Sequence, residues 1–321
     1  MSTQVSATAD ALDQWIAELA TARLDAPWTQ PGPLIKPKKS AMQACVWRWR
    51  EIEPLLRRSP EFMQPGRGAE RRILRLDNPG VPERTAAHTI SVAVQYLLPG
   101  EVAPAHRHTP NAIRFMLHGD GAYTTIEGDR FRMRRGDLVV TPSMTWHDHG
   151  NEGAEPVIWT DGLDSPVVRY LENLRMDPHE GETQAVRSGP PARHLHYRWD
   201  TAYAALRDRA PDPFDDLIME YVDPATGGAV VPAVACYLQM LRPGVRTRAH
   251  RETSSAVYHV VEGAGYTEID GVRHVWSEGD FFAIPPRAAH AHGNAASTPA
   301  ILFSFQDVPL LKALGFYRIE T

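Results

Sequence analysis

The chain is poor in cysteine, in long apolar runs and in clustered charge, and each shortage narrows what it can be. Only Cys45 and Cys236 are present, one in each half, and they read as buried free thiols in a reducing cytoplasm. No apolar run approaches membrane-spanning length, and the N-terminus lacks a basic-then-apolar signal pattern, so a cytoplasmic protein is expected. The net charge of -5 is spread along the chain without long runs, which argues against nucleic acid or an anionic membrane as the main partner. What is abundant is proline, 27 residues, which suits a β protein rich in turns. A length of 321 residues allows two domains with sizeable cores.

The most informative stretch runs from Gly100 to Asn151. Gly100, Gly119, Gly121, Gly128, Gly136 and Pro142 punctuate short apolar runs, the rhythm of a small antiparallel barrel. His106 and His108 are two apart, so on a strand both leave the same face. His147 arrives on a later strand, after the chain has turned back. Three imidazoles converging inside a barrel make a metal site, and from these ligands alone iron, zinc, manganese or nickel is possible. The spacing resembles the two cupin motifs. Gly100, His106, His108 and Gly119 match the first, although Ala112 stands where a Glu is usual. Gly136, Pro142, His147 and Asn151 match the second.

The second half repeats the first at an offset of 144 residues, falling to 143. His250 answers His106, Glu252 answers His108, and Gly279, Pro285, His290 and Asn294 answer the second motif. The expected fold is therefore mainly β: a bicupin of two antiparallel jelly-roll barrels with an N-terminal helical arm. The expected divisions are an arm over 1–70, a catalytic metal-binding barrel over 71–171, a polar connector over 172–209 and a second barrel over 210–321. Apolar positions at Leu12, Trp15, Ile16 and Leu19 predict an amphipathic helix in the arm. A short helix is predicted from Trp199 to Arg209. The copies differ at polar interior positions: Arg114 becomes Tyr258, His108 becomes Glu252 and Asp148 becomes Ala291. The first barrel is the reactive one on this reading, and the second is structural.

Around the histidines further residues acquire roles. Arg114 lies six residues beyond His108, on the same inward face if the strand is unbroken, and its planar fork suits a carboxylate. His149, two beyond His147, also faces inward and can act as acid or base. Asp161 is a candidate to orient that imidazole, and Gln95 to meet a bound phenol or oxygen species.

A wider set of segments is similar to the gentisate 1,2-dioxygenase family, with its relatives acting on salicylates and 1-hydroxy-2-naphthoate. It includes Trp47-x-Trp49, Glu70-Arg-Arg72, Asn78-Pro-Gly80, Ala105-His-Arg-His108, Ile113-Arg-Phe115, Trp146-His-Asp-His-Gly-Asn151, Asp161-Gly-Leu163 and Tyr197-Arg-Trp199. The resemblance implies Fe(II) on His106, His108 and His147. It implies catalytic roles for His149, Arg114 and Asp161, and substrate contacts from Arg114, Gln95 and one of Arg71 or Arg72. Ser91 and Ala93 fall at pocket-wall positions where relatives vary. The implied reaction opens an ortho-hydroxy aromatic carboxylate with O2, between the carboxyl-bearing and hydroxyl-bearing carbons, in a homotetramer. Gentisate or a substituted salicylate is the expected substrate class. A 1-hydroxy-2-naphthoate dioxygenase, or a non-oxidative or non-catalytic metal-binding bicupin, is the alternative.

Overall fold

The structure, a computed structural model, describes residues 8–33, 39–65, 72–191 and 193–321. It divides into two units, Met1–Ser40 and Ala41–Thr321. In the first, the predicted helix is α1 (Ala9–Thr21), and none of its residues is buried. Its N-terminus is capped by Thr8, whose hydroxyl accepts from the Ala11 amide at 3.3 Å. Trp15 packs against Trp28 with ring centroids 5.6 Å apart.

The second unit opens with β1 (Cys45–Trp47) and α2 (Trp49–Arg58). The first barrel follows. Its strands are β2 (Ile73–Arg75), β3 (Ser91–Leu97), β4 (Val102–His108), β5 (Ala112–His118), β6 (Ala122–Ile126), β7 (Asp129–Met133), β8 (Leu138–Thr141), β9 (His147–Asn151) and β10 (Val157–Leu163). Helix α3 (Ser165–Tyr170) then leads to β11 (Met176–Pro178), β12 (His196–Tyr197) and α4 (Trp199–Arg207). The second barrel comprises β13 (Leu217–Glu220), β14 (Ala235–Leu241), β15 (Arg251–Glu252), β16 (Ala256–Glu262), β17 (Ala264–Ile269), β18 (Val272–Ser277), β19 (Phe281–Ile284), β20 (His290–Gly293) and β21 (Ala300–Gln306). The last elements are α5 (Val308–Ala313) and β22 (Ile319–Glu320).

All strand pairings recorded between these elements are antiparallel, as hairpin-linked strands with tight glycine turns require. In the first barrel one sheet runs β12-β8-β5-β10-β3-β2 and the facing sheet β11-β4-β9-β6-β7. The second barrel repeats the plan with β1-β19-β16-β21-β14-β13 opposite β18-β17-β20. The barrels share a core: Phe115 of β5 stacks on Phe303 of β21 with centroids 4.1 Å apart.

The segments flanking the barrels are built in, and they form a repeat of their own. β1 pairs with β19, and β12 pairs with β8. Each is followed by a helix that starts on a tryptophan, Trp49 or Trp199. The amide of Trp49 donates to Asp280 Oδ1 at 2.8 Å, and that of Trp199 to Asp137 Oδ1 at 2.9 Å. Each aspartate follows a glycine, Gly279 or Gly136, with φ of 88° or 85°, and a Cβ on either would sit within 2.5 Å of the facing indole. β1 and α2 thus brace the second barrel, and β12 and α4 the first. The connector, expected as a plain polar linker, is paired to the first barrel through β11 and β12.

Candidate metal centre and active site

The three predicted ligands sit on adjacent antiparallel strands. His106 and His147 face each other across β4 and β9, and the register slips between Ala103 and His106. Such an irregularity bends a strand and re-aims its side chains. The candidate ligand atoms of His106, His108 and His147 all lie within 4.8 Å of one another, and all three residues are buried. Nitrogens bound ~2.0–2.1 Å from one ion stand no more than about 4.2 Å apart, so only a small closing is needed.

The tautomers suit a metal. His106 Nδ1 meets the carbonyl of Pro104 at 2.7 Å, His108 Nδ1 that of Pro110 at 2.8 Å, and His147 Nδ1 that of Thr145 at 2.9 Å. A carbonyl oxygen only accepts, so each Nδ1 carries a proton, which leaves Nε2 as the nitrogen to offer a metal its lone pair. Carbonyls two residues away therefore fix both tautomer and ring orientation, the usual support for a metal-binding imidazole. Among the described residues this is the one group of three or more His, Cys, Asp or Glu side chains placed to hold an ion.

The facing sheet supplies the polar partners. Ser91, Ala93 and Gln95 alternate along one face of β3, with Asp161 of β10 opposite Ala93 and Trp159 opposite Gln95. Arg114 of β5 lies opposite Asp161 on the other side of β10. The strand is broken between His108 and Ala112, so Arg114 reaches the interior from a separate strand and not by continued alternation.

The guanidinium is completely buried, with Nε 3.1 Å from Asp161 Oδ1 and Nη1 donating to Thr141 Oγ1 at 2.6 Å. Asp161 Oδ2 accepts from Trp159 Nε1 at 3.0 Å. Asp161 therefore holds Arg114 and not, as expected, His149. The His149 imidazole is held by Thr124, whose Oγ1 lies 2.9 Å from Nδ1. Its ring centroid is 5.4 Å from that of His147 and 5.9 Å from that of Trp159, so the two sheets meet around it. The Gln95 amide is fully buried and finds no hydrogen-bond partner among the described residues. A buried amide left so is costly unless something else meets it.

Arg72 does not belong to this group. Its guanidinium is bidentate to Glu101, with both contacts at 2.7 Å, and it also donates to the carbonyls of Met63 and Tyr96. A fork so consumed is a structural ion pair, which corrects its assignment as a substrate contact. Arg71 lies outside the described residues. Thr124, Thr141 and Trp159 were missed from sequence. The one available signal was that Thr124 recurs in the second copy as Thr267, which meets His292 Nδ1 at the same 2.9 Å.

In the second barrel the corresponding positions are engaged with one another. His250 Nε2 lies 3.7 Å from Glu252 Oε1, and Ser254 donates to Glu252 Oε2 at 2.7 Å. Burial works against the charge on Glu252, yet His250 and Ser254 hold its carboxyl below the usual range. Burial pushes His290 down to about 4, so that imidazole is neutral.

Comparison with known proteins agrees with this geometry. The Cupin domain family matches residues 93–163 and 237–305, one match in each barrel. A 5-aminosalicylate 1,2-dioxygenase from Comamonas sp is 36% identical, over 96% of this chain and 89% of its own length. A gentisate 1,2-dioxygenase from Ralstonia sp is 35% identical, over 86% of this chain and 84% of its own. A salicylate 1,2-dioxygenase from Pseudoaminobacter salicylatoxidans, crystallised as adducts with gentisate, superposes with a TM-score of 0.86 at 32% identity, covering 99% of this chain and 96% of that one. With two cupin barrels, a buried three-histidine centre and full-length likeness of this degree, the chain belongs to the gentisate and salicylate 1,2-dioxygenase family of bicupins.

Proposed function

We propose that this protein is an Fe(II)-dependent dioxygenase that opens an ortho-hydroxy aromatic carboxylate, gentisate or a substituted salicylate, between the carboxyl-bearing and hydroxyl-bearing carbons. Both atoms of O2 enter the product. The observation that carries the reading is the meeting of three imidazoles, each with Nδ1 bound to a carbonyl, and a buried arginine on the facing sheet. Ferrous iron, when bound at such a centre, would supply the redox chemistry. His106, His108 and His147 hold it.

The chain's own residues do the rest. Arg114, its plane fixed by Asp161 and Thr141, orients the substrate carboxylate. His149 takes or returns the proton of the ring hydroxyl at Nε2, because Nδ1 is occupied by Thr124. The Gln95 amide offers a donor and an acceptor to the ring substituents. Ser91 and Ala93, small and buried on the same face of β3, set the room left for those substituents. We assign catalysis to the barrel within 71–171 and a structural role to that within 210–321, in a cytoplasmic homotetramer. Exposed Tyr170 at the end of α3, Leu171 and Leu174 beyond it and Met176 at the start of β11 are apolar surface that a neighbouring subunit would cover.

The test is oxygen uptake by ferrous-loaded protein over a panel of ortho-hydroxy aromatic acids, with the product's absorbance followed in parallel. Stoichiometric uptake with loss of the aromatic spectrum is expected for at least one member. Conversion without oxygen would make this a non-oxidative cupin enzyme, and metal binding without any conversion a non-catalytic one.

A further inference from the structure

The strand that carries His106 and His108 has two edges. One pairs with β9, and the other would be open were it not for β11, which pairs Met176 with His108 and Pro178 with His106. From there the chain continues along the outside of the same sheet. The His179 amide donates to the Ala105 carbonyl at 3.0 Å and the Ala105 amide to the Glu182 carbonyl at 2.8 Å. Gln184 then crosses to β9. Its backbone amide and its Nε2 donate to Asp148 Oδ2 at 2.9 and 3.1 Å, and Nε2 also reaches the Thr125 carbonyl of β6 at 2.9 Å. Arg187 ends the run on Asp129 of β7. Residues 175–187 thus form a strap across β4, β9, β6 and β7.

Asp148 is the unusual member. It lies between the ligand His147 and His149, pointing outward from the barrel, and it is completely buried. Among the described residues Gln184 is its one hydrogen-bond donor, because Oδ1 has none. A buried carboxylate with a single supporting side chain is costly to keep. The internal repeat acts as a control. Helices α3 and α5 and strands β11 and β22 correspond, 143 residues apart, and β22 pairs with β15 as β11 does with β4. The edge strand is therefore common to both barrels. The Asp148 position is Ala291 in the second, so the Asp148–Gln184 link occurs only beside the three histidines.

We propose that Asp148 and Gln184 are positioning residues for the metal centre. By tying the strap to β9 while β11 holds β4, they set the separation of His147 from His106 and His108. The inference rests on the metal reading of that centre. Its test titrates the apoprotein with Co2+ against a chelator of known affinity, alongside the visible bands of the bound Co2+ and the kinetics of the iron enzyme.

Gln184→Ala and Asp148→Ala should bind Co2+ about tenfold more weakly, the lower end of the effect of losing an outer support. Their Co2+ bands should shift, and kcat should fall while KM changes by less than about twofold. Asp148→Asn, which keeps an acceptor for the Gln184 amide, should recover most of the loss. Glu180→Ala, an exposed change on the same strap, should match wild type. Wild-type affinity and bands in Gln184→Ala, with only a lower melting temperature, would reduce the strap to ordinary structure and overturn the proposal. Gln184→Ala decides the matter even if Asp148→Ala does not fold. Co2+ binding by wild type without ring cleavage by the iron form would sink the dioxygenase reading alone.

Discussion

The two inward imidazoles of β9 have different neighbours, and on the proposed reading different duties. His147 is tied at Nδ1 to a backbone carbonyl, and His149 to the Thr124 hydroxyl. Replacing His147 with Ala should release metal and abolish turnover, since one third of the protein ligation goes. His149→Ala should keep the metal and turn over poorly. Metal content by elemental analysis separates the two, and equal loss in both would mean that ligand and proton handler have been confused. Arg114→Lys keeps the charge and loses the fork, so kcat should fall steeply with metal content preserved. Asp161→Asn instead leaves the Arg114 cation buried without its counter-ion, costing about 3 kcal/mol or more of stability in a denaturant titration. The three clustered histidines were legible in sequence because alternation along a strand and fixed turn glycines leave few faces for them. Arg72 and Asp161 were not, because which anion meets which guanidinium depends on β10 and the Glu101 turn arriving from elsewhere in the chain.

At the scale of elements, the barrels were readable from the period of glycine, proline and apolar runs, and the braces were not. β1 and β12 are three and two residues long, too short to show a period, and their partners lie more than fifty residues away. What secures them is the Gly-Asp turn. Gly136→Ala would force an alanine to a φ of 85° against the Trp199 ring, costing at least about 1–3 kcal/mol through the backbone alone. Asp137 makes the brace pH-dependent. Burial opposes its ionisation, but His196 and the amides of Trp199 and Arg134 hold its carboxyl below the usual range. A carboxyl depressed on folding stabilises fully above its unfolded value, near ~3.9, and that contribution is lost as pH falls through the folded value. Comparing melting temperatures of wild type and Asp137→Asn, the gap should be constant at neutral pH and close below about pH 4. A gap that widened on acidification would reverse the sign and remove Asp137 from this role.

For the whole molecule the question is why a duplicated barrel is kept when one copy carries the histidine triad. The shared core gives a physical answer. Phe115 and Phe303 stack across the junction, and Gly162 lies so close to Phe305 that a Cβ there would fall 2.4 Å from its ring. The sheet bearing Arg114 and Asp161 therefore rests directly on the second barrel. The polar interior of that barrel has turned inward on itself: Glu252 is taken up by His250 and Ser254, His290 is neutral, and His292 is tied to Thr267. Tyr258 stands where the first copy has Arg114, stacked on Phe282 with centroids 4.7 Å apart, so an aromatic ring takes the place of the guanidinium. Removing both imidazoles, in His250→Ala with His290→Ala, takes away buried packing and the partner of Glu252. The double variant should melt below wild type, by about 2 °C for each lost kcal/mol. Its metal content should remain one ion per chain, and the surviving folded fraction should keep most of its kcat. Two ions per chain in wild type, with the second and the activity lost together in the double variant, would show that the second barrel is a working centre and not a support.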